Sequence, residues 1–304
     1  MENDKPKALI LGGSGFLGVN FIRYCKNFDL TLTYSISLPS IKADWRHLKF
    51  SSDNEMDLMS VIEEVAPDIV INCIAMADVD KSERDPKRAR ELNTFLPMLI
   101  SRVTKEHNIK FIQISTDHFK SNEDKPRSEE CKLWTTNEYG KSKIDGEIAI
   151  SSENQNALIL RTNFFGFSYR THNSLLEKII KTIKLEGNFT GFTDVHFNPV
   201  SVVHLIRAIE HLYAIDAKGV FNIVSNSVIS KFDFANLVAQ IFELDSKHVI
   251  PAISTRSADY VDRPIYLALS PAKYLQTHPP RIPAIKEMLL ELKEDTLWAE
   301  NLRS

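Results

Sequence analysis

Short apolar runs rich in Ile, Val, Leu and Phe recur through the first half of the chain, at 8–11, 30–36, 69–73, 111–115 and 157–160. Between them, 16–24, 56–65, 86–107 and 139–150 carry helical patterns, and this alternation of strand and helix is the rhythm of a parallel sheet. The fold class it predicts is α/β, built on a doubly wound parallel sheet. Beyond Gly166 the rhythm breaks down into a helix around 174–186, a strand at 219–225, a helix at 231–242 and a helical tail after Pro283. That change predicts a smaller α/β domain over the carboxyl edge of the sheet.

Composition narrows the function classes. The 304 residues are 43% hydrophobic and 25% charged, ordinary for a globular chain, with a formal net charge of -3. A broad positive field of the kind nucleic acid or anionic membranes need is missing, so neither is an expected partner and small polar ligands fit better. The amino terminus, MENDKPK, runs into a single short apolar segment, too short for a signal peptide or a membrane span, so the expected compartment is the cytoplasm. Cys25, Cys73 and Cys131 lack metal-ligand spacing, and neither a disulfide nor a structural zinc is expected. An apolar helix face could pair two subunits or pack on the sheet, which leaves a homodimer open.

The first strand runs directly into Gly12-Gly13-Ser14-Gly15-Phe16-Leu17-Gly18, a GxxGxxG pattern at the entrance of a helix. Glycine permits the tight turn and close backbone approach, and free amides at a helix amino terminus attract a pyrophosphate. The alternative is a turn that merely links strand to helix, but strand before and helix after are the context a dinucleotide cradle requires. The end of the second strand, Tyr34-Ser35-Ile36-Ser37, has no carboxylate for an adenosine ribose. Hydroxyls such as Ser35, with Lys42 and Arg46 downstream, could accommodate a 2′-phosphate, which favours NADP(H) over NAD(H); those cations could equally be solvated. On this basis residues 1–165 plus 192–226 are expected to form an NAD(P)-binding Rossmann domain, and 166–191 plus 227–304 a substrate-binding one.

Tyr139-Gly140-Lys141-Ser142-Lys143 gives Tyr-x-x-x-Lys at the start of a helical pattern, with both side chains on one face. An ammonium beside a phenol lowers the phenol pKa and suits it to exchange a proton with a carbonyl or alcohol. Alone, the spacing would describe an amphipathic surface. Context argues otherwise, because the strand at 110–114 ends in Ser115-Thr116-Asp117 at the carboxyl edge, where open α/β sheets bind ligands. Thr116 could bond the same substrate oxygen as Tyr139, or could be a turn hydroxyl at a strand end.

These residues resemble the extended short-chain dehydrogenase/reductases, and most closely the dTDP-4-dehydrorhamnose reductase family. The resemblance spans most of the chain through Pro67–Cys73, Ala75–Lys81, Asn93, Ser115-Thr116-Asp117, Asn137–Lys143, Gly146-Glu147, Leu160-Arg161-Thr162, Asn198-Pro199, Arg263-Pro264, Leu269-Ser270 and Lys273. It implies a catalytic set of Thr116, Tyr139 and Lys143, with Lys143 also holding the nicotinamide ribose. It implies that Gly12, Ser14, Gly15, Phe16, Leu17, Gly18, Ser35, Cys73, Ile74, Ala75, Met76, Asn93, Ser115, Thr162, Asn163 and Phe164 lie around the cofactor. Asp53 or its neighbour Ser51 falls where the family contacts adenine. Asp117, His118, Asn198 and Arg263 would face the substrate, a 4-keto-6-deoxy nucleotide sugar; for Arg263 the alternative is a surface ion pair.

Departures from the family pattern gather where the sugar would be read. His118-Phe119 replaces Tyr-Val, the 163–166 segment lacks the usual tryptophan, Val200 follows Pro199 in place of threonine, and Tyr266-Leu267 replaces a small polar pair. Histidines His118, His196 and His204 sit in no ligand motif, so no metal is expected. The expected activity is reduction of the keto sugar in deoxysugar or polysaccharide biosynthesis. Its rivals are an epimerase or dehydratase of the same fold, and a non-catalytic, NADP-holding regulatory subunit resembling the methionine adenosyltransferase β subunit.

Overall fold

The computed structural model describes residues 5–36, 46–51, 55–121, 125–168, 174–254 and 261–295. Seven strands form one sheet: β1 (Lys7–Leu11), β2 (Asp29–Tyr34), β3 (Arg46–Lys49), β4 (Ile69–Asn72), β5 (Lys110–Ile114), β6 (Leu158–Thr162) and β7 (Gly219–Ile223). Every pairing is parallel, in the order β7-β6-β5-β4-β1-β2-β3. The order reverses between β1 and β4, the switch point that opens a crevice at the carboxyl edge of a doubly wound sheet.

Period-2 alternation explains why helices cover both faces. Ala8, Ile10, Leu32, Ile71, Ile112 and Leu160 point to one side, where they join α1 (Phe16–Tyr24) and α6 (Val202–Ala214). Leu9, Leu11, Val70, Phe111 and Ile159 point to the other, against α2 (Glu55–Val65) and α3 (Leu96–Glu106), with Ile150 of α4 (Glu138–Glu153). A strand with no polar face has to be interior, and β1, β4 and β6 are buried over nearly their whole length. Three further helices, α5 (Leu175–Lys184), α7 (Lys231–Ile241) and α8 (Ile285–Glu294), bury Ile179, Val238 and Met288 in the first of these cores.

The single helix expected over 86–107 is interrupted. A turn at Pro86–Arg90 leads into a π-helical segment, Glu91–Phe95, before α3 begins. The wider turn carries Asn93 inward, where its side chain bonds both the amide and the carbonyl of Met76 (3.0 and 3.1 Å) and the Ser142 hydroxyl (3.0 Å). π-Bulges commonly serve such local demands. Gly146 lies against the same segment, where a Cβ would run into the Asn93 carbonyl oxygen.

Three small pairs lie outside the main sheet: Phe164–Phe165 with Val200–Ser201, His196–Phe197 with Ile229–Ser230, and Phe189–Phe192 with Val249–Ala252. No helix among the described residues is long and apolar enough to cross a membrane.

Candidate active site

The glycine turn after β1 fits a dinucleotide phosphate. Gly12 has φ +79°, a conformation L side chains rarely adopt, and its amide donates to Thr33 Oγ1 of β2 at 3.1 Å. At Gly18 a Cβ would stand 2.5 Å from the Gly12 carbonyl oxygen and the Gly13 Cα, so only glycine lets the helix approach the turn. Gly15 caps α1 without a side-chain bond, and the first turn holds no acid. Its leading amides and the positive end of its dipole are therefore left to an anion.

The other expected cofactor residues gather around this turn. Ser14 and Phe16 are half-buried at the mouth, whereas Leu17 is packed into the core. Ile74 crowds Gly12 across the switch point, held by its amide on Asn72 Oδ1 (3.0 Å), while the Cys73 amide bonds Leu11 (2.9 Å). Ala75 is exposed beside them, and Asn93 acts on this loop by gripping Met76. Phe164 packs against Phe16 with ring centroids 5.3 Å apart, and Thr162 Oγ1 bonds the Ile223 carbonyl (2.8 Å). Ser35 is exposed at the end of β2. Asp53 and Lys42 lie outside the described residues.

Thr116, Tyr139 and Lys143 converge, all buried, at the carboxyl end of β5 and the first turns of α4. Asn137 fixes the start of α4 by accepting the Gly140 amide (2.7 Å), which sets Tyr139 on the inner face. Burial pushes the phenol up to about 12, opposed by a hydrogen-bonding contact with Thr116. The lowering expected from a neighbouring ammonium is not realised in this arrangement. Lys143 instead donates to the Ile114 carbonyl (2.9 Å), and burial brings it down to about 8 against the pull of Glu147.

Glu147 is the centre of a buried network. Its carboxylate accepts from Arg161 Nη2 (2.7 Å) and Nε (3.0 Å), and from the Ser115 hydroxyl (2.5 Å). Ser115, expected near the cofactor, thus spends its hydroxyl on Glu147. The buried Arg127 donates to the Asp117 carbonyl (3.1 Å) and to the Phe119 carbonyl, clamping the turn after β5. Neither Arg127 nor Glu147 belonged to the expected site, although Gly146-Glu147 and Arg161 were among the matching residues.

The expected substrate residues have different fates. Asp117 is buried, its carboxylate accepts from Asn163 Nδ2 at 2.8 Å, and burial raises its pKa. His118 packs edge-on against Tyr139, centroids 5.6 Å apart, and burial with the nearby Arg263, Lys231 and Arg127 charges holds it down to about 4. Its buried Nε2 has no hydrogen-bond partner. Arg263 pairs with Asp80 (2.7 Å) with about half of its side chain exposed, 51%, so the ion-pair alternative is present even as its charge reaches His118. Asn198 commits its amide to backbone, donating to Ser225 (2.9 Å) and Leu269 (2.7 Å) and accepting from the Leu269 amide (3.0 Å). It ties the chain behind the site. Among the described residues no group of His, Cys, Asp or Glu could hold a metal ion.

Lys231, at the start of α7, was missed altogether. Its ammonium lies 3.3 Å from the centroid of the Phe197 ring, and its charge acts on both Asp117 and His118. A lysine at a helix start reads as a solvated charge. The available signal was its position, because a cation in the first turn opposes the helix dipole.

A glycine cradle at the switch point, with threonine, tyrosine and lysine converging beside it, defines an extended short-chain dehydrogenase/reductase. Within that class the chain belongs to the family described as RmlD substrate binding domain, whose model matches residues 6–296. It is 26% identical over 251 residues to a dTDP-4-dehydrorhamnose reductase of Sinorhizobium fredii, covering 79% of this chain and 83% of that one. It is 25% identical over 313 residues to methionine adenosyltransferase 2 subunit beta of Danio rerio, covering 97% and 94%. A dTDP-4-dehydrorhamnose reductase of Bacillus anthracis, solved in complex with NADP, superposes with a TM-score of 0.83 over 96% of this chain and 99% of that one, at 20% identity.

Proposed function

We propose that the chain is an NAD(P)H-dependent reductase of a 4-keto-6-deoxy nucleotide sugar, acting in deoxysugar or polysaccharide biosynthesis. The observation that carries this reading is the convergence of buried Thr116, Tyr139 and Lys143 beside an anion-ready helix start. A nicotinamide dinucleotide suits the cradle: the amides of the glycine turn would hold its pyrophosphate and Lys143 its ribose. When bound, the nicotinamide supplies the hydride.

The chain's own residues then manage the proton and the geometry. Tyr139, protonated throughout the neutral range because its pKa is about 12, donates to the carbonyl oxygen as charge develops there. Thr116 shares the phenol's neighbourhood and polarises the same oxygen. Lys143 keeps its charge below about pH 8, which eases formation of the phenolate. The Ile114 carbonyl holds that lysine in place, and Glu147, itself fixed by Arg161, favours its charged form.

NADP(H) is the preferred cofactor in this reading, because no carboxylate ends β2 to meet a free ribose 2′-hydroxyl. Residues 1–165 plus 192–226 take the cofactor, supported by the location of all seven sheet strands there. Residues 166–191 plus 227–304 take the sugar, supported by the pairing of residues 189–191 with 249–251. A cytoplasmic location and a homodimer complete the reading.

A second reading, a non-catalytic cofactor-holding subunit, is favoured by the near full-length similarity to methionine adenosyltransferase 2 subunit beta. Oxidation of NADPH and NADH against dTDP-, UDP- and GDP-linked 4-keto-6-deoxy sugars separates the two. Stoichiometric oxidation with one of them is expected. Tight NADPH binding without turnover on any sugar, together with co-purification of a partner enzyme, would establish the regulatory role instead.

A further inference from the structure

Beside Tyr139 stands His118, and the charge of Lys231 reaches His118 in turn; both carry polar groups without hydrogen-bond partners among the described residues. Among the described residues the Lys231 ammonium makes no hydrogen bond and no ion pair; it rests on the Phe197 ring and feels Asp117 only through space. Its surroundings are dry enough to bring its pKa down to about 8. The Asp117 carboxylate does not come to it, being held by Asn163. The second group is His118 Nε2, buried and unbonded although its ring is packed firmly on the phenol. An orphaned buried imidazole nitrogen is costly, and the half-buried Lys231 ammonium has a ring beneath it but no acceptor.

His118 is one of the departures from the family pattern, its ring stands on the phenol, and the Lys231 charge acts on it and on the neighbouring Asp117. We propose that Lys231 and His118 together read the sugar: the ammonium donates to oxygen substituents of a hexose ring held beside Tyr139, and Nε2 exchanges a hydrogen bond with a neighbouring ring hydroxyl. This rests on the nucleotide-sugar reading above and makes Lys231 a specificity-determining residue of that site. Arg263, half-exposed and already paired with Asp80, is left to the nucleotide phosphates.

The test separates sugar from nucleotide. Calorimetry on the NADP-loaded chain compares dTDP with dTDP-rhamnose, and UDP with UDP-glucose, in the wild type, Lys231→Met and His118→Phe. Whichever pair the wild type recognises, each variant should bind the free nucleotide unchanged and lose about tenfold or more of the extra affinity conferred by the sugar, as expected for removing a hydrogen bond to a charged or buried group. Lys231→Met keeps an apolar chain on the Phe197 ring, so its melting temperature should be little changed.

Equal loss for nucleotide and nucleotide sugar would overturn the inference, because Lys231 would then serve the phosphates. Retention of the sugar increment in both variants would overturn it as well, and a lowered melting temperature with that increment intact would show that Lys231 is structural. A wild type that binds neither sugar more tightly than its nucleotide would overturn this inference, while turnover on a 4-keto-6-deoxy nucleotide sugar decides the reading beneath it.

Discussion

At the residue scale, the chemistry turns on how burial acts on Tyr139 and Lys143, two groups that one helical turn places together. Tyr139→Phe removes the only proton that the phenol carries while keeping the ring on His118. Turnover should fall by roughly 10²–10⁴-fold, the usual contribution of a positioned general acid, with NADPH affinity within about twofold of wild type in a fluorescence titration. Unchanged turnover would remove Tyr139 from the reaction. Lys143 supplies a second test. Its pKa is about 8, so kcat at saturating substrate should decline as pH rises through that value and the ammonium is lost. Glu147 pulls this pKa upward, so in Glu147→Gln the decline should begin at lower pH; a profile that stays in place would show that Glu147 does not set the lysine's charge. The tyrosine and lysine were legible from their spacing, but the direction of the phenol's shift was not. Spacing cannot report that Lys143 donates to a backbone carbonyl or that the site is dry. Lys231 left only its place in the first turn of α7 as a signal, because a lone lysine otherwise differs from a surface lysine only in what surrounds it.

At the element scale, legibility followed burial pattern. β1, β4, β5 and β6 are apolar runs because both of their faces are covered, and each is found within one or two residues of its expected place. β3, with sequence Arg-His-Leu-Lys, is an edge strand with no buried residue, so its pattern is that of a loop. α6 went unread for the opposite cause: Val202, Val203, Leu205, Ile206, Ala208, Ile209 and Leu212 are all buried, leaving too thin a polar stripe to reveal a 3.6-residue period. The π-helical break at Glu91–Phe95 has no pattern signature at all, since it is defined by the contacts of Asn93. Those contacts make it testable. Gly146→Ala would force α4 away from the Asn93 carbonyl, so it should cost about 1–3 kcal/mol as overpacking and lower the melting temperature by several degrees. Because Asn93 also grips Met76 beside the glycine turn, NADPH affinity should weaken in the same variant; a stable variant with full affinity would show that the two helices separate without strain.

At the scale of the whole molecule, the reversal of strand order between β1 and β4 gathers the glycine turn, the β5 end and the α4 start at one edge, and it buries polar groups as a consequence. Two of these, His118 and His204, have pKa values brought down from 6.5 to about 4, in each case chiefly by burial. His204 is held neutral between Ser201 Oγ (2.8 Å) and Arg207 Nη1 (3.2 Å), its approach to Glu291 opposing the shift. Between about pH 4 and 6.5 the unfolded chain therefore binds protons that the folded chain refuses. Stability must rise with pH across that window and be lost as pH falls through it, at up to about 1.4 kcal/mol per pH unit for each group. Asp117 works in the other direction, because its raised pKa lets the folded chain take a proton first, and it offsets part of the loss. The carboxylates with lowered pKa values act below their ordinary values, 3.8 for Asp78 and Asp216 and 4.5 for Glu138 and Glu243, so they add to the loss only at the acid end of this window. Urea unfolding at pH 7.5 and pH 5 should accordingly show a drop in stability on the order of a few kcal/mol. His118→Phe should shrink that drop by roughly half while His204 keeps the rest. A stability that is flat between the two pH values would mean that both histidines accept protons without leaving their places in the fold.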